Sequence, residues 1–207
     1  MEMDWKTNMA ELGGAFMVSW LVLAELPGED AAGDATGSLL IAGLLLAVTM
    51  AAMAGAHILP MFTWISAMTG DLQDTDAWIG NVMRLVMQVV GAGAALAMVG
   101  EGAVDALVDA DGASTVEMWA FDLWPMLTMV AAGAIIGAVA SRCDGWMTAF
   151  AVVALAASLG AGVGGANTMA AELMGSGNMV EAASTWVLDG VVIGVGALLG
   201  GMLEDQL

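Results

Sequence analysis

The sequence predicts an all-α membrane protein with six transmembrane helices and two re-entrant half-helices, related as an inverted repeat within a single membrane domain, 1–207. Three observations predict it. Of the 207 residues 60% are apolar and the mean hydropathy is +0.86, more hydrophobic surface than one soluble core of this size can hide. The acidic and basic residues retreat to short segments and leave six long stretches without Asp, Glu, Lys or Arg. Two of those stretches are too long for one straight span, and each contains a Gly-rich break.

Taken in order, the first stretch, 12–24, follows Glu11. The second, 35–70, is 36 residues long and divides at Gly55-Ala56-His57 into a helix over about 37–54 and a half-helix over about 58–69. The third is 85–100 and the fourth 123–141. The fifth, 145–171, is 27 residues long and breaks at Gly162-Val163-Gly164-Gly165, giving a helix over about 147–163 and a half-helix over about 167–175. The sixth is 190–203. A span takes about 20 residues, so six use about 120 and leave roughly 85 for loops and shorter pieces, too few for a large soluble domain. Small residues four apart, at Gly133/Gly137, Gly190/Gly194 and Gly196/Gly200, predict closely packed helices. No segment alternates apolar and polar residues with a period of two, so strands are not expected.

Charge limits the function classes. Three Lys plus Arg against 22 Asp plus Glu give a net charge of −19, which cannot neutralise phosphates, so nucleic acid is not a partner. The basic face of a helix lying on anionic lipid is also missing. One cysteine, Cys143, and one histidine, His57, exclude an internal disulfide, a thiolate-rich metal site and a multi-histidine centre. No nucleophile–base pair, metal set or phosphate loop followed by Lys is recognisable, so neither an enzyme nor a cofactor is expected.

The N-terminus is too acidic for a secretory peptide and has no cleavage signal, so residue 1 onward reads as mature. A chain starting inside puts Lys6, Arg84 and Arg142 at cytoplasmic ends, as the positive-inside rule asks, with both termini in the cytoplasm of a multi-pass protein of the cell membrane. The loops carrying Glu29, Asp30 and Asp34, and Glu101, Asp105, Asp109 and Asp111, then face out. They steer cations to the outer mouth, or they adapt the surface to high salt. Trp5, Trp78, Trp119, Trp146 and Trp186 fall near span ends, as an aromatic belt does.

The halves 1–111 and 112–207 repeat one order: an acidic residue opening a helix (Glu11, Asp122), a second helix, a Gly-rich break, a half-helix and a third helix. Glu11 precedes Pro60 by 49 residues and Asp122 precedes Thr168 by 46. An odd number of spans per half inverts one copy relative to the other. Such repeats bring half-helix N-termini face to face near the midplane, where unpaired N–H groups and positive dipole ends line a pathway.

These residues resemble the aquaporin and glycerol-facilitator (major intrinsic protein) family. Glu11-Leu12-Gly13-Gly14-Ala15-Phe16 resembles the opening of its first helix, and Gly55-Ala56-His57-Ile58-Leu59-Pro60-Met61-Phe62-Thr63 its Gly-Ala-His-x-Asn-Pro-Ala-x-Thr half-helix. Gln88-Val89-Val90-Gly91-Ala92 resembles the third helix, and Asp122 stands where the fourth usually has Glu. Gly165-Ala166-Asn167-Thr168-Met169-Ala170 stands in for the second Asn-Pro-Ala-Arg, and Trp186 with Gly190 and Gly194 resembles the sixth helix. The match runs the length of the chain in order, although no single motif is intact. The resemblance implies a homotetramer in the lipid bilayer, one pore per subunit, and a small neutral permeant.

The departures bear on selectivity. The pore motifs read Leu59-Pro60-Met61 and Asn167-Thr168-Met169, so of the paired asparagines that donate to solute in the family only Asn167 survives. Family spacing puts the selectivity filter on Leu39, Leu155, Gly164 and Ala170, without the arginine. Side chains there neither donate nor accept, so desolvation of water or glycerol is poorly compensated. By family position Glu11, His57, Asp122 and Gln88 support the half-helices. The residues also admit other readings: His57 touching the permeant, Glu11 and Asp122 relaying protons or binding ions, Asn167 capping its helix or orienting solute, Glu172 rimming the mouth or simply solvated. The 19 Met are gap-fillers, with Met61 and Met169 the ones nearest a pore, and Cys143 is a bystander. The expected function is a passive channel with an apolar filter. Competing readings are a structural or regulatory protein that kept the fold and lost conduction, and an ion-coupled carrier.

Overall fold

The structure, a computed structural model, describes residues 4–22, 35–99, 118–159, 165–175 and 179–204, and among these every regular element is helical. Helix α1 (Trp5–Met17) starts on Asp4, whose carboxylate accepts from the backbone N–H of Lys6 and Thr7, both at 3.1 Å, and it runs on into one π-helical stretch, Val18–Val22. Helix α2 (Ala35–Ala52) stops before Gly55, whose φ of 93° favours glycine. The ten-residue α3 (Pro60–Thr69) opens on a proline, which has no N–H to satisfy in a first turn, and closes at Gly70. Helix α4 (Thr75–Val99) follows Asp74, whose Oδ1 accepts from Asp76 N–H at 2.9 Å and Ala77 N–H at 3.1 Å. Helices α5 (Leu123–Arg142), α6 (Gly145–Leu159), the ten-residue α7 (Gly165–Met174) and α8 (Met179–Glu204) complete the chain.

Three helices, Thr75–Val99, Leu123–Arg142 and Met179–Leu203, are long and apolar enough to cross a membrane, and α2 and α6 are apolar but shorter. Large apolar side chains cover their outer faces. On α2 these are Leu40, Ile41, Leu44 and Val48, and on α4 Ile79, Val82, Val86 and Val90, all at least 40% exposed. Their spacing of three or four residues makes continuous stripes, which hydrocarbon covers and water does not. The chain is thus a membrane protein whose regular elements are all helical among the described residues.

Two helices begin about ten residues earlier than the charge-free stretches suggest: α4 at Thr75 rather than 85, and α8 at Met179 rather than 190. Charged residues mark where an apolar run ends, but a helix continues through them. Residues 160–164, which include most of the expected second break and the filter position Gly164, lie outside the described residues, as do the acidic loops around Glu29 to Asp34 and Glu101 to Asp111.

Packing pairs the halves reciprocally. Helix α1 lies against α4 and α5 against α8, while α2 packs on α6. The short helices cross over, α3 docking on α8 and α7 on α4. Glycine allows the closest approaches. A Cβ at Gly91 would strike the Leu12 carbonyl of α1, one at Gly133 the Ile193 carbonyl and one at Gly196 the Val130 carbonyl. A Cβ at Gly137 or Gly200 would stand 3.0 Å from the Cβ of Ala197 or Ala134, so each Gly-x-x-x-Gly pair of α5 and α8 lies against the other helix. The main apolar cluster lies between α1, α2, α5 and α6, with Val22, Leu46, Ile136 and Val152 wholly buried.

Candidate functional site

Two groupings converge on the start of α3. The first is built on Glu11, which α1 carries into the interior at 0% exposure. Its Oε1 accepts from His57 N–H and its Oε2 from Ile58 N–H, both at 2.7 Å, and Gln88 Nε2 donates to Oε2 at 2.8 Å. Arg84 Nη1 lies 3.5 Å from Oε1, one turn before Gln88 on α4. Gln88 Nε2 also donates to Thr63 Oγ1 at 3.0 Å. The same Thr63 Oγ1 shares a hydrogen bond of 3.1 Å with His57 Nδ1. Ile58 has φ 57°, a conformation that a β-branched residue adopts at a cost of about 1–3 kcal/mol. The buried carboxylate holds it there, and Gly14 leaves room for its side chain.

The second grouping is a cavity of about 260 Å³ lined by α3, α5, α7 and α8. Pro60 and Met61 line it from one short helix, Thr168 and Met169 from the other. Trp64 and Trp186 form further walls: the indole edge of Trp64 seats on Gly190, and that of Trp186 lies 3.1 Å from where a Gly165 Cβ would stand. Asp189 also lines it, its Oδ1 accepting from Trp119 Nε1 at 3.0 Å. The first turns of both short helices therefore share one space.

The other expected site residues distribute unevenly. Leu59 is 1% exposed and packs in the main cluster, against which half-buried Leu39 and Leu155 also lie. Ala170 belongs elsewhere: with Ala166 and Ala171 it packs on Ala92 and Leu96 of α4, because these alanines form the face along which α7 docks. None of Leu39, Leu155 and Ala170 lines the cavity between the short helices. Asn167 is buried and lies within the first turn of α7, two residues past its start, so it is not the cap; its Oδ1 makes no hydrogen bond among the described residues. Asp122 differs from Glu11: it is exposed and caps its own helix, accepting from Trp124 N–H at 3.2 Å. Glu172 is not a solvated residue, being 1% exposed inside the α7 packing.

Thr63, Arg84, Trp64, Thr185 and Asp189 were not singled out from sequence as site residues. Arg84 carried a signal, standing one turn before Gln88. Asp189 carried another, since Ala182, Trp186, Asp189 and Ile193 form one helical stripe; taking Asp189 as a span boundary hides it. Trp186 is one wall of the cavity.

No model of a known protein family matches the chain, and comparison with curated proteins finds no significant relative.

Proposed function

We propose that the chain is a divergent member of the aquaporin and glycerol-facilitator family, a passive homotetrameric channel for water or small neutral solutes with an apolar constriction. The observation that carries this reading is that Pro60 and Met61 of α3 and Thr168 and Met169 of α7, two short helices from opposite halves, line one cavity. In this reading the N-terminal ends of α3 and α7 turn backbone N–H groups and positive dipole ends toward that cavity, an arrangement suited to holding a neutral polar solute. The Glu11 carboxylate supports it by fixing the two N–H groups that precede α3.

In this reading the constriction is the apolar cluster of Val22, Leu46, Leu59, Ile136 and Val152, none more than 1% exposed. A solute passing them gives up hydration without replacement, at about 1–3 kcal/mol per lost hydrogen bond. Apolar constrictions gate by dewetting. The same cluster favours a second reading, a protein that kept this architecture and lost conduction.

Stopped-flow shrinkage of proteoliposomes in an inert osmolyte separates the two. The channel reading expects water flux above that of empty liposomes and below that of an intact-motif channel, and Leu59→Asn, which returns a polar group to the constriction, raises it about tenfold. Native and Leu59→Asn proteins that both match empty liposomes establish the second reading instead.

A further inference from the structure

We propose that the cavity between α3, α5, α7 and α8 binds a small organic cation of the alkylammonium class, with Asp189 as its counter-ion. Asp189 stands ten residues inside α8, half-buried, in a helix apolar enough to cross a membrane. Its one described hydrogen bond comes from a neutral donor, Trp119 Nε1, and among the described residues no cationic side chain pairs with it. A carboxylate taken out of water without a positive partner is costly. Within a membrane helix such a group marks a ligand or ion site.

The walls fit an organic cation better than a hydrated metal ion. No Lys or Arg lines the cavity, and the indoles of Trp64 and Trp186 stand among the thioethers of Met61, Met129 and Met169. Indole rings attract cations through their quadrupole and cover alkyl groups at the same time, and thioethers are soft and adaptable. Trp64 is 8% exposed, with its indole edge packed on Gly190, so the ring is held in place as part of the wall. At about 260 Å³ the space lies just below the roughly 300 Å³ where pockets for drug-sized ligands begin, which limits the occupant to a small molecule.

A second cavity of about 370 Å³ adjoins the first and shares Met129, Thr185 and Asp189 with it. It is also lined by Trp119 and by the exposed Asp122 at the start of α5, and again by no basic residue. Both hollows therefore border a carboxylate, Asp122 at the start of α5 and Asp189, which lines the two of them. A net charge of −19 concentrates cations around them. The site stands whether or not any solute crosses the apolar constriction.

The test uses the full-length protein in a maltoside detergent at constant ionic strength set with potassium chloride. Titrations follow tryptophan fluorescence and heat, with choline as the cation and 3,3-dimethylbutan-1-ol as its uncharged isostere. The expected result is saturable choline binding at least tenfold tighter than that of the alcohol. Asp189→Asn, which keeps an acceptor for Trp119, abolishes that preference. Equal binding of choline and the alcohol, no saturable choline signal, or a preference that survives in Asp189→Asn overturns the proposal. The choline and alcohol comparison on the native chain decides the matter even if the variant does not fold.

Discussion

Glu11 illustrates how one side chain fixes a backbone. Its two oxygens take three hydrogen bonds of 2.7–2.8 Å, and two of the donors are successive N–H groups that no helix could otherwise satisfy. Removing the carboxylate leaves these donors buried and frees Ile58 from a strained conformation, and each orphaned donor costs about 1–3 kcal/mol. Glu11→Ala is therefore expected to lower the thermal midpoint in detergent sharply. Glu11→Gln, which keeps one acceptor oxygen, falls between the two, and a midpoint unchanged in Glu11→Ala contradicts the assigned network. Glu11, His57 and Gln88 were legible together only through their order along a family-like pattern, since 77 residues separate the first from the last and nothing local connects them. Asp122 looked equivalent by position, yet Asp followed by Leu123-Trp124-Pro125 is also a local helix-start signal, and in the structure it acts as a cap. Arg84 is tied to the same carboxylate, although by sequence it reads as a loop-end charge.

At the level of helices, glycine spacing was the most informative sequence feature. Gly133/Gly137 lie against Ile193 and Ala197 of α8, Gly196/Gly200 against Val130 and Ala134 of α5, and Gly190/Gly194 seat Trp64 and Met68 of the short α3. Helix ends were less legible, because a helix leaves the apolar layer without stopping and charge-free runs record the layer, not the helix. The contacts separate glycines needed for packing from those that are not. A Cβ at Gly196 would collide with the Val130 carbonyl, whereas one at Gly201 of the same helix meets nothing within 4 Å. Overpacking costs about 1–3 kcal/mol, while relief of glycine's entropy in a helix returns roughly 0.5–1 kcal/mol. Gly196→Ala is thus expected to lower the unfolding midpoint and Gly201→Ala to leave it unchanged or raise it. Equal effects from the two, measured in the same detergent, sink the close-packing account of α5 and α8.

For the molecule as a whole, the decisive quantity is the number of membrane crossings between Trp5 and Asp144. Arg84 lies inside α4 and is paired with Glu11, so it is not an independent loop charge, and orientation rests on Lys6 and Arg142 alone. Lys6 opens α1 and Arg142 closes α5. If α1, α2, α4 and α5 cross and α3 does not, four crossings bring both residues to the same side, and the positive-inside rule makes that side the cytoplasm. If α3 also crosses, five crossings separate them. Length favours the first case: ten residues of α-helix span about 15 Å, half of the roughly 30 Å hydrocarbon core. The accessible positions are Trp5, 62% exposed, and Asp144, exposed in the turn between α5 and α6. In a Cys143→Ser background, Trp5→Cys and Asp144→Cys should both resist a membrane-impermeant maleimide in intact cells and both react after permeabilisation. Reaction of both in intact cells reverses the orientation but keeps the crossing number. Reaction of only one means that α3 traverses the membrane, and the re-entrant reading of Pro60–Thr69, with the shared cavity as a midplane junction, has to be abandoned.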